Sequence, residues 1–204
     1  EEVYGGNVTT SSLLIHPVDG NQKPIVGELK TFTVMHGFVA SKQGSPSESF
    51  PADLVAGVSD VPPEQFLEAV VGVTSSSIAA LMSASSGTVA IAPDYIGYAQ
   101  SYEENRLFLQ INGYKMAAAT HWLAAAKVIE EQSGGCQVLD PTTATAAGFS
   151  EGGSASYAAA KALQTIGVDV KQVSMAAPLL NLPASFAWGY NELKTNPTSS
   201  GIIL

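Results

Sequence analysis

Gly148-Phe149-Ser150-Glu151-Gly152-Gly153 is the stretch of this chain best suited to carry chemistry. A serine with glycines two residues before and two after it can occupy a strained, positive-φ turn between a strand and a helix. Its hydroxyl then stands clear of the sheet. The two flanking positions lie against neighbouring backbone and must be small. A helix starting just after the serine aims its free N–H groups at the same point, where they favour developing negative charge. The chemistry this spacing suits is nucleophilic attack on an acyl carbon. Ser150 would be the nucleophile and the backbone N–H of Glu151 one donor to the oxyanion. The bare string also fits a Gly-rich turn. Context separates the two: residues 143–147 read as a buried strand and residues 151–166 as an Ala-rich helix.

A second candidate is His36-Gly37-Phe38, which closes the apolar run 31–35. An H-G turn after an early strand supplies the second oxyanion donor in sites built around such a serine, and the backbone N–H of Phe38 is the group assigned here. A plain turn is the alternative, and the His36 imidazole is expected to be structural rather than a base. A third is Pro93-Asp94-Tyr95-Ile96-Gly97-Tyr98, which closes the run 89–92. Asp94 is expected to fix this turn rather than act as an acid.

The elements that must position these residues alternate. Short apolar runs at 13–16, 31–35, 89–92, 143–147 and 173–177 each end at a turn signal, the pattern of parallel strands covered on both faces. Between them, Tyr114, Ala118, Trp122, Ala125 and Ile129 recur at helical spacing over 112–132, and Ser133-Gly134-Gly135 stops that helix. Gly167 stops the helix over 151–166. Strand, helix, strand, helix, strand predicts an α/β class with right-handed crossovers. Residues 41–65 read as a long excursion, and 63–71 as a short helix.

Taken in order, His36-Gly37, Pro93-Asp94-Tyr95-Ile96-Gly97 and Gly148-Phe149-Ser150-Glu151-Gly152-Gly153 resemble the α/β-hydrolase fold. Within it they resemble the secretory lipase and related bacterial esterase group, whose corresponding pieces read H-G-T, P-D-Y-x-G-x-G and G-x-S-Q-G-G. This chain departs at Phe38, at Tyr98-Ala99 and at Glu151. The resemblance implies a mostly parallel sheet with helices on both faces, hydrolysis of a carboxylic ester through an acyl-enzyme, and no metal or organic cofactor. A serine peptidase of the same fold and a non-catalytic binding protein on this scaffold stay open as alternatives.

A triad in this fold runs Ser, acid, His in chain order. The acidic residues after Ser150 are Glu151, Asp169 and Glu192, and no histidine follows it. His16 and His36 lie upstream, as does His121, expected to be a partly exposed helix residue. The resemblance therefore implies that residues 1–204 are the N-terminal portion of a single α/β-hydrolase domain, whose lid region begins near 181; Trp188 and Tyr190 would be lid residues, with a simple packing role as the alternative. A C-terminal half of the same enzyme would supply the acid and the base.

Composition bounds the partners. The 204 residues suffice for one domain with a sizeable core. Charged residues make up only 13% and the net charge is −9, which argues against a nucleic acid or an anionic membrane as partner. A small-molecule or lipid ester is the expected substrate. No apolar run reaches the roughly 18 residues of a membrane span. The single cysteine, Cys136, rules out an internal disulfide. The acidity, the few lysines and the Asn7-Val8-Thr9 sequon suit a secreted or periplasmic protein.

Overall fold

Val89-Ala90-Ile91-Ala92 alternates large and small apolar residues, and both faces of the strand that it forms are buried. In the computed structural model, which describes residues 7–21, 23–42, 44–50 and 75–195, this strand lies in a five-stranded sheet. The strands of that sheet are β1 (Ser12–Ile15), β3 (Thr31–Met35), β4 (Val89–Pro93), β6 (Ala144–Phe149) and β7 (Val170–Ala176). Their spatial order is β1-β4-β3-β6-β7. All neighbours pair in parallel except β1, which runs antiparallel to β4.

Helices cover both faces. On one side lie α3 (Ile111–Gln132) and α4 (Glu151–Thr165); on the other lies α2 (Ser75–Ser85). Val89 and Ile91 point toward α3, where they pack with Trp122, Ile129 and Leu163. Ala90 and Ala92 point the other way, toward Ala80 and Ala84 of α2. The alternation of strand side chains thus sorts large residues to one core and small ones to the other. In α4, Ala155, Ala158 and Ala159 are fully buried. Their small size lets the helix approach both the sheet and α3 closely. Gly134 (φ 62) and Gly167 (φ 86) follow the caps of α3 and α4 in the left-handed conformation, where the sequence places their stops.

The structure differs from the sequence expectations at four points. Residues 13–16 were expected to join the parallel set, but β1 is an antiparallel, half-buried edge strand. The run 173–177 belongs to a longer strand, β7, whose side chains are mostly exposed rather than covered on both faces. His121 is buried, not partly exposed: its Nδ1 donates to the Ala117 carbonyl (2.7 Å) and its Nε2 lies 3.3 Å from the Thr10 hydroxyl. The N-terminal strand segment lies over that face of α3, which helical periodicity could not reveal. Finally, the short strands β2 (Gly27–Leu29) and β5 (Gln137–Leu139) form a separate parallel pair that the reading missed. At three residues each, they are too short for any alternation to register. The helix expected over 63–71 lies outside the described residues, while α1 (Pro46–Ser49) and α5 (Leu182–Thr195) are further helices.

Candidate active site

Parallel pairing of β3 with β6 sets Met35 beside Gly148, so the chain leaves both strands at adjoining points. This is the carboxyl end of the parallel sheet, where open α/β folds place their sites. From β6 the chain turns at Ser150 (φ 58, ψ −120) and enters α4 directly. The backbone is in the positive-φ region that the Gly spacing predicts. The Ser150 N–H donates to the Ala176 carbonyl at the end of β7 (2.9 Å).

The glycines around Ser150 follow from contact. A Cβ at Gly148 would lie 2.1 Å from the Gly152 carbonyl oxygen and 2.7 Å from that of Met35. One at Gly152 would lie 2.1 Å from the Met35 oxygen, and one at Gly153 would lie 2.8 Å from that of Ala176. Every neighbour in these contacts is backbone, so none can rotate away. Gly37 completes the approach, since its missing Cβ would sit 3.1 Å from the Phe149 oxygen and 3.9 Å from the Ser150 Cβ.

The loop after β3 is held by its carbonyls. Tyr95 donates its hydroxyl to His36 O (2.8 Å), and the His36 ring donates from Nδ1 to Gly37 O (2.8 Å). Val39 O accepts from the Tyr98 hydroxyl (3.1 Å) and from Arg106 Nη1 (2.9 Å). The C=O and N–H of a trans peptide point in opposite directions, so fixing Gly37 O also fixes the heading of the Phe38 N–H. Tyr95 stacks on His36 with ring centroids 3.8 Å apart. Burial, helped by the Arg106 charge and opposed by the bond to Gly37 O, lowers the His36 pKa to about 4. The ring is therefore neutral near pH 7. Burial also pushes the Tyr98 hydroxyl up to about 12.

Ser150 and this loop share a cavity of about 430 Å³, lined by His36, Gly37, Phe38, Val39, Ala40, Ser76, Phe149 and Ser150. Phe38 and Phe149 expose well over half of their surface beside it.

No family model and no curated protein matches the chain. Solved structures do. One structure of the rice cell wall degrading esterase LipA from Xanthomonas oryzae superposes with a TM-score of 0.57 at 15% identity, over 88% of this chain and 41% of that one. A second superposes at 0.56 and 16% identity, over 90% and 40%. The fold is that of the α/β-hydrolases. A thermophilic esterase from Thermogutta terrifontis gives a TM-score of 0.46 at 19% identity, over 87% of this chain and 51% of that one, and adds no weight. This chain spans about two fifths of the length of the LipA esterase.

Within the α/β-hydrolase frame, the histidines fall in three places. His36 adjoins the cavity with its ring packed between Tyr95 and Tyr98. His121 is buried with both nitrogens in contact with polar groups. His16 follows Ile15, which pairs with Ala90 near the amino end of β4; that is the end of the sheet opposite Ser150.

Asp94 requires a correction. It is buried, but it does not fix its own turn. It accepts hydrogen bonds from the Ser11 hydroxyl (2.7 Å), the Ser47 N–H (3.1 Å) and the Ser47 hydroxyl, and so joins β4 to the N-terminal segment and to α1. The turn is held instead by the Tyr98 N–H on Tyr95 O and by Ser101 Oγ, which accepts from the Gly97 N–H.

The sequence reading also missed what the Glu151 side chain does. Its carboxylate is buried, with Oε2 3.2 Å from Arg106 Nη2 and Oε1 accepting the Tyr114 hydroxyl at 2.7 Å. Burial raises the Glu151 pKa, and both of these partners oppose the rise. Burial and the adjacent carboxylate push the Tyr114 hydroxyl far above the ordinary phenol range. A signal was present: Arg106 is the only arginine in a chain whose other cations are lysines.

Proposed function

We propose that the chain carries the nucleophile and the oxyanion hole of a serine esterase. The observation that carries this reading is Ser150 itself: a positive-φ serine between β6 and α4, opening onto the cavity that Phe38 also lines. In the proposed reaction Ser150 Oγ attacks the acyl carbon of an ester, and its proton passes to a general base. The N–H groups of Phe38 and Glu151 hold the tetrahedral oxyanion, with the start of α4 adding favourable potential. The alkoxide leaves with that proton as an alcohol, and water releases the acid from the acyl-enzyme. The neutral, deeply packed His36 is a poor base, and His16 and His121 are placed elsewhere. The base and its acid are therefore assigned to residues outside 1–204. Acidity and the Asn7 sequon support secretion as part of the same reading.

The test is covalent labelling with a fluorophosphonate probe in the full-length natural protein, together with turnover of a short chromogenic ester and of a matched amide. Labelling at Ser150, lost in Ser150→Ala, and ester cleavage far above amide cleavage are expected. Amide turnover equal to ester turnover would favour a peptidase, and an unlabelled, inert protein would favour a binding role. Residues 1–204 expressed alone should lack turnover beyond the roughly 10³–10⁴-fold residual that oxyanion and binding effects leave. Full turnover by that piece would assign the base to His16, His36 or His121.

A further inference from the structure

Two segments meet at Ser150, and one side chain touches both. Arg106 Nη1 donates to Val39 O (2.9 Å), one residue beyond Phe38, and Nη2 donates to Glu151 Oε2 (3.2 Å). The guanidinium also lies 4.3 Å from the centroid of the Phe38 ring and 4.8 Å from that of Tyr98. Phe38 and Glu151 are the residues whose N–H groups form the proposed oxyanion hole, and Val39 adjoins the first. The fold makes room for this contact. A Cβ on Gly97 (φ 92) would lie 2.8 Å from Arg106 Cα and 2.9 Å from its N, so the turn after β4 admits the chain at 105–106 only because residue 97 is glycine. Glu151 is anchored from its other oxygen by Tyr114, whose hydroxyl in turn accepts the Leu109 N–H.

We propose that Arg106 is a positioning residue that sets the spacing between the two oxyanion donors, with Glu151 as its anchor on α4. The proposal rests on the esterase reading above. A guanidinium suits the task because its planar fork offers several donors in fixed directions, here one to a carbonyl and one to a carboxylate. An ammonium offers its donors from a single atom, without the fixed separation and directions of the fork. The carboxylate is equally required: Glu151 is the buried anchor, and without it the half-buried guanidinium would bear its desolvation cost with no counter-charge. Glu151 and Arg106, the one arginine of the sequence, are therefore two halves of one device.

The alternative is that the pair merely neutralises itself and stabilises the fold. The experiment separates these with four variants of the full-length natural protein: Arg106→Lys, Arg106→Gln, Glu151→Gln and the double Arg106→Gln/Glu151→Gln. Each is measured for thermal midpoint, for kcat and KM on a short chromogenic ester, and for inhibition by an alkyl boronic acid that adds to the serine as an oxyanion mimic. Loss of one oxyanion donor outright costs about 10²–10³ in kcat, so misplacing the donors is expected to lower kcat roughly 10- to 100-fold. KM should stay within about twofold, and boronate affinity should fall in step with kcat. Arg106→Lys is expected to recover little. The double variant, which leaves no unpaired buried charge, should regain thermal stability lost in Arg106→Gln yet remain slow. A double variant that regains kcat along with stability would overturn the positioning role and leave the esterase reading standing, as would Arg106→Gln turning over like the unaltered protein. If Arg106→Gln fails to fold, the double variant alone decides by the same criterion. An unaltered protein that neither cleaves the ester nor takes the fluorophosphonate at Ser150 would sink the esterase reading itself, and this proposal with it.

Discussion

The two segments that meet at the candidate nucleophile are held by opposite means. The turn at 148–153 is held by what is absent: Cβ atoms missing at Gly148, Gly152 and Gly153 let backbone approach backbone. The loop at 36–39 is held by what is present: hydroxyls and a guanidinium from Tyr95, Tyr98 and Arg106, which follow the neighbouring strand β4, grasp its carbonyls. The first kind of restraint is steric and tolerates no addition. The second is a set of parallel hydrogen bonds, each worth about 1 kcal/mol net, whose loss should be graded.

The largest expected effect breaks the steric side. In Gly152→Ala the new Cβ would stand 2.1 Å from the Met35 carbonyl oxygen and 2.8 Å from that of His36. Both atoms belong to the strand end that carries the facing loop, so relief requires β3 to move away from α4. Overpacking a core by a methylene costs about 1–3 kcal/mol where side chains can shift. With only backbone to shift, a loss above about 3 kcal/mol or failure to accumulate folded protein is expected. A denaturant midpoint within experimental error of the unaltered protein would show that the turn is looser than its contacts indicate.

The next effect tests the hydrogen-bonded side through pH. His36 has a folded pKa of about 4 against an ordinary 6.5, because burial disfavours the imidazolium. The folded state therefore refuses a proton that the unfolded chain accepts. The resulting stability is fully present above pH 6.5, is lost as pH falls from 6.5 to 4, and amounts to about 3 kcal/mol across that window. Glu151, whose pKa is raised in the folded state, has the opposite sign: its contribution is present at low pH and fades as pH rises above its unfolded value. It offsets part of the acid loss from His36. Denaturant titrations from pH 7.5 to 4.5 should show His36→Asn flattening the acid limb and Glu151→Gln steepening it. Parallel limbs in all three proteins would mean that neither group is coupled to folding.

The same contrast explains what could be seen in the sequence. Steric requirements leave marks on the residue that yields, so Gly148, Gly152 and the strand-to-helix context around Ser150 were legible. Grasping residues leave no mark on what they grasp. Nothing near His36-Gly37-Phe38 announces Tyr95, Tyr98 or Arg106, which are about sixty or more positions away in the chain. Asp94 was misread for the same reason. Its turn neighbours suggested a local bond, and its partners Ser11 and Ser47 are remote. The burial of His121 likewise depends on an N-terminal segment that no periodicity within α3 encodes.

A smaller effect sharpens the steric side. A serine at φ 58 is held in a conformation that glycine adopts freely. Ser150→Gly should remove the nucleophile and yet raise stability by about 1 kcal/mol, the lower end of what such strained residues store. A gain in thermal midpoint with loss of fluorophosphonate labelling is the expected pair of results. A fall in midpoint would mean that the Ser150 side chain itself contributes to holding the turn.

The smallest effect is that of Tyr98→Phe, set against Tyr95→Phe in the same loop. Val39 O accepts from both Tyr98 and Arg106, so Tyr98→Phe leaves that carbonyl with a donor and should cost no more than about 0.5 kcal/mol. His36 O receives the Tyr95 hydroxyl, a buried bond, so Tyr95→Phe withdraws that donor from a group that water cannot readily reach. A loss of about 1–3 kcal/mol is the usual penalty for a buried acceptor so deprived, while the stack of ring 95 on His36 survives the change. Tyr95→Phe should therefore lower the denaturant midpoint clearly more than Tyr98→Phe, and the two losses should add in the double variant if each acts on its own carbonyl. Equal losses would mean that the Arg106 bond to Val39 O does not outlast the removal of Tyr98. The loop would then behave as one unit, as the turn at Ser150 does.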